Sequence, residues 1–149
     1  MGNKLPTAVD HSPLVLTPDV PTANELTGAL GGWLSKPFWV EGVEYGAEEV
    51  DFYLEFALNG ATQITIRPEW ATRDAPAVWF PSGRVNSSFE VENDTILILP
   101  ANLDAGQTTI QLGWKAKAGA AIRLNAFATG GANPTLTVKI AAGGGGARA

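Results

Sequence analysis

Strict alternation of apolar and polar side chains over residues 50–58 is the feature that most limits what this chain can fold into. A period of two places successive side chains on opposite faces of an extended strand, so one face is buried and the other is solvated. The pair Asn59-Gly60 follows, and it favours a two-residue turn with positive φ at both positions. A second alternating run over residues 62–66 ends before Pro68. We therefore predict a β-hairpin over residues 50–66. Its buried face is predicted to comprise Val50, Phe52, Leu54, Phe56, Leu58, Thr62, Ile64 and Ile66.

Short runs of the same kind recur along the rest of the chain, separated by turn residues about every ten positions. Further strands are predicted at 38–40, 76–80, 87–92, 95–99, 108–115, 122–128 and 135–140. The chain also has 17 glycines and 10 prolines, which favour short strands and many turns over long helices. The pattern predicts an all-β fold, an antiparallel β-sandwich or jelly roll of eight or nine short strands. A closed barrel is the alternative.

Three segments are predicted from composition. Residues 1–36 contain four prolines before position 22 and are predicted to form an extended N-terminal arm. Within it, Thr22 and Glu25 form a capping-box pattern that would begin a short helix over residues 22–32. Residues 37–142 form the sandwich, and residues 143–149 have the composition of a flexible glycine-rich tail. The apolar patch Leu14-Val15-Leu16 suggests that the arm tethers the domain to a larger partner.

The residues needed for common enzymatic chemistry are missing. There is no cysteine, which excludes disulfides, thiol catalysis and cysteine-ligated zinc. The single histidine, His11, lies in the proline-rich arm, and no nucleophile-elbow, zinc-protease or phosphate-loop motif is present. We expect no enzymatic activity, no cofactor and no metal. A net charge of −5 argues against nucleic acid as a partner, and no apolar run is long enough to cross a membrane.

Charge is unevenly distributed along the chain, because fourteen of the fifteen acidic residues precede position 95 and five of the ten basic residues follow it. In one interpretation, an acidic edge of one copy meets a basic face of the next. In the other, folding mixes the two groups on one surface. The acidic run could alternatively be a solvated strand, or hold a cation or a catalytic pair. The candidate contact residues are Glu41, Glu44 and Glu48 on the acidic side, and Lys115, Lys117, Arg123 and Lys139 on the basic side.

Aromatic residues provide a second set of candidates. Trp114 shares a face with Ile110 and Leu112, which predicts a place in the core. Trp79 and Phe80 must point to opposite faces of an extended segment, so one of them is expected to be exposed. We take Trp79 as the candidate interface residue. Exposed tryptophans would also suit a carbohydrate-binding module.

The region from Thr108 to Ala142 combines a strand, an Ala-Gly turn, an Ile-Arg-Leu strand, a Gly-Gly loop and a Leu-Thr-Val-Lys-Ile strand. Together with the proline-rich arm and the glycine-rich end, this order of strands and turns resembles that of small β-sandwich virion proteins of tailed bacteriophages, especially those that decorate or cement the head. The resemblance implies a non-enzymatic protein in a virion assembled in the host cytoplasm. It also implies that the chain binds the major capsid protein or other virion subunits, often as a homotrimer, and stabilises the shell. The alternatives are a tail or fibre component, or a β module that binds carbohydrate or a receptor.

Overall fold

A computed structural model of the chain describes residues 3–4, 14–16, 18–20, 24–39, 47–72, 78–117 and 120–142. Within these residues the fold is all-β, with fourteen strands and one turn of 3-10 helix at Pro100–Asn102. The strands are β1 Asn3–Lys4, β2 Leu14–Leu16, β3 Pro18–Val20, β4 Trp33–Ser35, β5 Phe38–Trp39, β6 Ala47–Ala57, β7 Ala61–Ala71, β8 Phe80–Pro81, β9 Gly83–Val85, β10 Val91–Asn93, β11 Ile96–Ile98, β12 Thr109–Lys117, β13 Ala121–Gly130 and β14 Thr135–Ala142. The described part of the chain contains no helix with the length and apolar character of a membrane span.

Most of the strands form two sheets that pack face to face. Sheet A is centred on β13, which pairs with β7 along one side and with β4 and β5 along the other. Strands β3 and β1 extend it beyond β4 and β5, while β11 and β8 extend it beyond β7. Sheet B has the order β12-β6-β14-β2, and β9 and β10 form a separate two-stranded hairpin. The described pairs are antiparallel except β1 with β5. The predicted antiparallel sandwich is therefore confirmed, with more strands than predicted because many are only two or three residues long.

The core lies between the two sheets and is formed by most of the residues that the alternation predicts, although Leu58 is only half-buried and Thr62 is exposed. Phe52, Leu54 and Phe56 of β6 are at most 5% exposed, and Ile64 and Ile66 of β7 are fully buried. The same holds for the even-numbered side chains of the last two strands. These buried residues are Ile122, Leu124, Ala126, Ala128, Leu136, Val138 and Ile140. Trp114 is half-buried and packs against the core, with its ring stacked 5.7 Å from that of Phe52.

The predicted hairpin over residues 50–66 is wrong, although its turn forms. Asn59 and Gly60 have φ angles of 47° and 87°, and Ala61 N donates to Leu58 O at 2.9 Å. However, β6 belongs to sheet B and β7 to sheet A, so the turn carries the chain across the core. The connection between β13 and β14 crosses in the same way and lies beside it. Asn59 Nδ2 donates to Asn133 O at 2.9 Å, and Ala132 N donates to Asn59 O at 2.9 Å.

The N-terminal segment is more integrated into the domain than an arm would be. Trp33 is fully buried and β4 pairs with the centre of sheet A, so the boundary drawn at residue 36 does not mark a break in the fold. The short helix expected over residues 22–32 is absent from its described part, residues 24–32. There Glu25 makes an isolated antiparallel bridge with Thr135, and Leu26 N donates to Pro134 O at 2.8 Å. These bonds tie the backbone to β14 in place of a helical turn. The glycine-rich tail and the turn at Ala118-Gly119 lie outside the described residues.

Candidate protein-binding surface

The hairpin formed by β9 and β10 carries the most exposed large apolar side chains of the described residues. Val85, Phe89 and Val91 are 61%, 89% and 80% exposed. Val85 pairs with Val91 across the hairpin, and Phe89 lies in the connecting turn. The sequence predicts a continuous strand over residues 87–92, but the structure places a turn at its first half. Clusters of exposed apolar side chains are typical of surfaces that contact another molecule, so this hairpin is the candidate site.

Asn86 holds the turn that presents Phe89. Its Oδ1 accepts hydrogen bonds from Ser88 N at 2.9 Å and Glu90 N at 3.0 Å. Its main chain also bonds Glu90 O and Phe89 N, each at 3.0 Å. Phe89 adopts a φ of 61°, a left-handed conformation that is uncommon for a bulky side chain. These hydrogen bonds hold the backbone of the turn in this conformation and fix the direction in which the ring projects.

The base of the hairpin is fastened to sheet A. Ser82 N donates to Pro68 O at 2.8 Å, and Asp94 N donates to Ser82 O at 3.0 Å. The Ser82 hydroxyl, which is buried, donates to Asp94 Oδ2 at 2.6 Å. A Cβ at Gly83 would lie 2.8 Å from Glu92 O, so only glycine allows the two strands to approach this closely. These contacts hold the base of the hairpin against β7.

A buried ion network lies on the other face of sheet A from the core. The Glu69 side chain is 1% exposed and accepts hydrogen bonds from Arg67 Nε at 2.9 Å and Arg123 Nε at 2.7 Å. Arg67 Nη2 also contacts it, and Asn125 Nδ2 donates to Oε2 at 3.3 Å. Burial alone would raise the pKa of Glu69, but the hydrogen bonds and charges of the two arginines outweigh it and hold that pKa below its usual value. At neutral pH a carboxylate with a lowered pKa is ionised, so its charge is available to the two arginines that bind it.

Two residues that the sequence analysis assigns to a partner interface, Arg123 and Trp79, contact other residues of the same chain. Arg123 lies in the ion network, and its guanidinium lies 4.5 Å from the ring centroid of Trp79. Trp79 is half-buried, whereas the neighbouring Phe80 is 60% exposed. The exposed member of the pair is therefore Phe80, because the cation–π contact occupies the ring of Trp79. Neither Arg123 nor Trp79 presents the free surface that an interface residue needs.

The acidic and basic groups do not form two separate surfaces either. In the register of sheet B, Glu49 lies opposite Lys115, Glu48 opposite Ala116 and Ala47 opposite Lys117. On the other side of β6, Lys139 Nζ lies 3.9 Å from Glu55 Oε1. The fold thus mixes the two groups on one sheet, as the second interpretation of the charge pattern has it. Glu41 and Glu44 lie outside the described residues.

The apolar patch Leu14-Val15-Leu16 forms β2, which pairs with Val138 to Ile140 of the same chain. A deletion of residues 1–25 would therefore remove β1 and β3 from sheet A and β2 from sheet B. The sequence analysis also missed Val85, Phe89 and Val91. The single pattern that could have indicated their hairpin is Asn86-Ser87-Ser88, residues that favour turns, between two valine-containing runs.

Two shallow clefts of about 400 Å³ each indent the described surface. The first lies beside β12 and includes Arg84, Asp94, Ile96, Leu112 and Trp114. The second, at Tyr53, Glu55, Gln111 and Lys139, lies over sheet B. No group of three or more histidine, cysteine or acidic side chains suited to a metal ion is found in the described ranges. No protein-family model, curated protein or solved structure matches the chain.

Proposed function

We propose that this chain is a non-enzymatic structural protein of a viral particle, and that it attaches to the shell through the hairpin of β9 and β10. The observation that carries the proposal is the exposure of Val85, Phe89 and Val91 on a hairpin whose base is hydrogen-bonded to sheet A. The all-β sandwich and the resemblance to phage head proteins support the choice of partner. That partner is the major capsid protein or another virion subunit.

The hairpin has the physical properties of a binding anchor. Full burial of a phenylalanine or valine side chain contributes about 1.5–3 kcal/mol each, so these three side chains can supply a large part of a protein–protein affinity. Aromatic anchors that enter a pocket are typical energetic centres of interfaces. Because Asn86 already fixes the turn, little of that gain is spent on ordering the loop.

The test replaces the wild-type chain by variants in cells that assemble the particle, and measures the chain on particles purified by density gradient. Phe89→Ser should reduce the amount bound at least tenfold while the free protein keeps the wild-type melting temperature. Leu30→Ser is the matched control, because Leu30 is 48% exposed but lies in the loop before β4. It should bind like wild type. A photo-crosslinking amino acid at position 85 should link to a shell subunit. Absence of the wild-type chain from particles, or full occupancy by Phe89→Ser, would overturn the proposal.

A further inference from the structure

The open edge of β12 is the longest strand edge without a partner among the described residues. Strand β12 spans nine residues, Thr109–Lys117, and pairs with β6 on one side without a bulge. It ends the order β12-β6-β14-β2, and no described strand pairs with its other side. An edge of this length presents a row of main-chain donors and acceptors that another strand can bind.

The register identifies which groups are free to pair. Phe56 N donates to Thr108 O at 2.9 Å, so Thr108 directs its main-chain groups toward β6. Successive residues of an antiparallel strand direct these groups to alternate sides. Those of Ile110, Leu112 and Trp114 therefore bond β6, whereas those of Gln111, Gly113 and Lys115 point outward. Consistent with this alternation, Gln107 Nε2 donates to the outward Thr109 O at 3.0 Å.

Apolar side chains beneath this edge are incompletely covered. Ile110, Leu112 and Trp114 are only half-buried, although they face the same side as the fully buried residues of β6. The cleft of about 400 Å³ opens beside Leu112 and Trp114. Trp114 Nε1 is buried and has no hydrogen-bond partner among the described residues. A strand added along β12 would extend sheet B and place further side chains over this apolar row.

We propose that the partner is a second copy of this chain, paired β12 to β12 in antiparallel orientation about a twofold axis at Gly113. This is the twofold register that overlaps all nine residues of the strand. It places Lys115 opposite Gln111 and Lys117 opposite Thr109, so no two lysines face each other. A register centred on Lys115 would place two lysines opposite each other, which is destabilising.

The same register places Leu112 opposite Trp114 of the second copy, which brings apolar side chains of both copies together. Outward groups of residues 111, 113 and 115 would form about six main-chain hydrogen bonds. The result is an eight-stranded sheet continuous across both subunits, because each copy contributes the four strands of sheet B. The proposed attachment to the shell rests on Val85, Phe89 and Val91, whereas this pairing rests on β12, so the mass of the free chain and the amount of chain on particles test the two proposals separately.

The first test combines sedimentation equilibrium with hydrogen exchange over a range of concentrations of the purified chain. The mass should rise from one to two copies. In parallel, the amides of Gln111, Gly113 and Lys115 should become protected at least tenfold, while those of Ile110, Leu112 and Trp114 are protected at every concentration. A monomer at all concentrations, an assembly of three copies, or a dimer in which the outward amides exchange freely would overturn the proposal.

The second test changes the charge at one position on the edge. Gln111→Lys places lysines opposite each other twice in the dimer and should raise the dissociation constant at least tenfold, more at low salt than at high salt. Gln111→Glu places a carboxylate opposite Lys115 and should lower it. Thr137→Lys is the matched control, because Thr137 lies on the same face of sheet B but on β14, away from the edge. Equal effects of the two charges at position 111, or an effect of Thr137→Lys as large as that of Gln111→Lys, would refute the register.

Discussion

Replacing Glu69 by glutamine tests whether the ion network on sheet A stabilises the fold. Glutamine keeps the size of the side chain but removes its charge and turns one acceptor oxygen into a donor. That donor would face the donors of Arg67, Arg123 or Asn125, so at least one of their hydrogen bonds is lost. Removing one partner of a buried ion pair costs about 3–5 kcal/mol. Since the side chains of Arg67 and Arg123 are 30% and 22% exposed, water can solvate them in part. We expect a loss at the lower end, about 3 kcal/mol.

Thermal unfolding followed by tryptophan fluorescence measures this loss at neutral pH. For a domain of this size, about 3 kcal/mol corresponds to a fall in melting temperature of roughly 6–12 °C. Glu55→Gln is the matched control, because its side chain is 59% exposed and meets Lys139 only at 3.9 Å. It should change stability by less than about 0.5 kcal/mol. If Glu69→Gln unfolds within about 2 °C of wild type, the network contributes little and the reasoning fails.

Three further expectations follow from the same structure. The pKa of Glu69 is lower in the folded than in the unfolded chain, so its contribution to stability is complete above about pH 5 and decreases as the pH falls through the folded pKa. Acidification should therefore lower the free energy of unfolding of wild type more steeply than that of Glu69→Gln. Parallel curves of stability against pH would contradict this. Leu54 is 1% exposed, so Leu54→Asp should cost more than about 4 kcal/mol in urea unfolding, and a variant as stable as wild type would show that its face is not buried. Gly131 has a φ of 85°, and a Cβ added there would lie 2.7 Å from Ala61 N, whereas Gly106 has a φ of 76° and open space around its added Cβ. Gly131→Ala should therefore be more destabilising than Gly106→Ala by at least about 1 kcal/mol. Equal losses of stability would refute the clash.

The sequence predicted the buried faces well and the exposed ones poorly. Period-two alternation correctly placed Leu54 and Ile64 in the core, since burial of one face is a property of each strand by itself. The short strands at the edges of sheet A were missed or misplaced because two or three residues carry no measurable period. Residues 24–32 show a further limit. Their capping-box pattern is outweighed by main-chain bonds to the region of Thr135, which lies more than a hundred positions away.

The sequence analysis missed the candidate surface on the hairpin of β9 and β10 for a different reason. Val85, Phe89 and Val91 are apolar, and a sequence pattern assigns apolar residues to the core unless something marks them as exposed. The residue that indicates exposure here is Asn86, whose side chain accepts hydrogen bonds from two main-chain amides and stabilises a turn in place of a continuous strand. In contrast, the sequence suggested that Arg123 and Trp79 were free to bind a partner. Arg123 in fact contacts both Glu69 and Trp79, and these residues lie far from it in the sequence, on elements that the pattern does not identify as its neighbours.

The turn at Asn59-Gly60 shows why correct local predictions can still produce the wrong pairing. Its positive φ angles suit a hairpin, and both flanking strands alternate as a hairpin would. A strand with one buried face fits equally well beside its neighbour in one sheet or across the core from it, because both arrangements bury the same side chains. The crossing observed here is bonded to the neighbouring crossing at residues 130–134, whose main chain accepts a hydrogen bond from the Asn59 side chain and donates one to the Asn59 carbonyl. Strands β13 and β14 thus supply the partners on either side of the core that β7 and β6 would otherwise offer each other. The pairing is a property of four strands together, and a pattern read over two of them does not contain it.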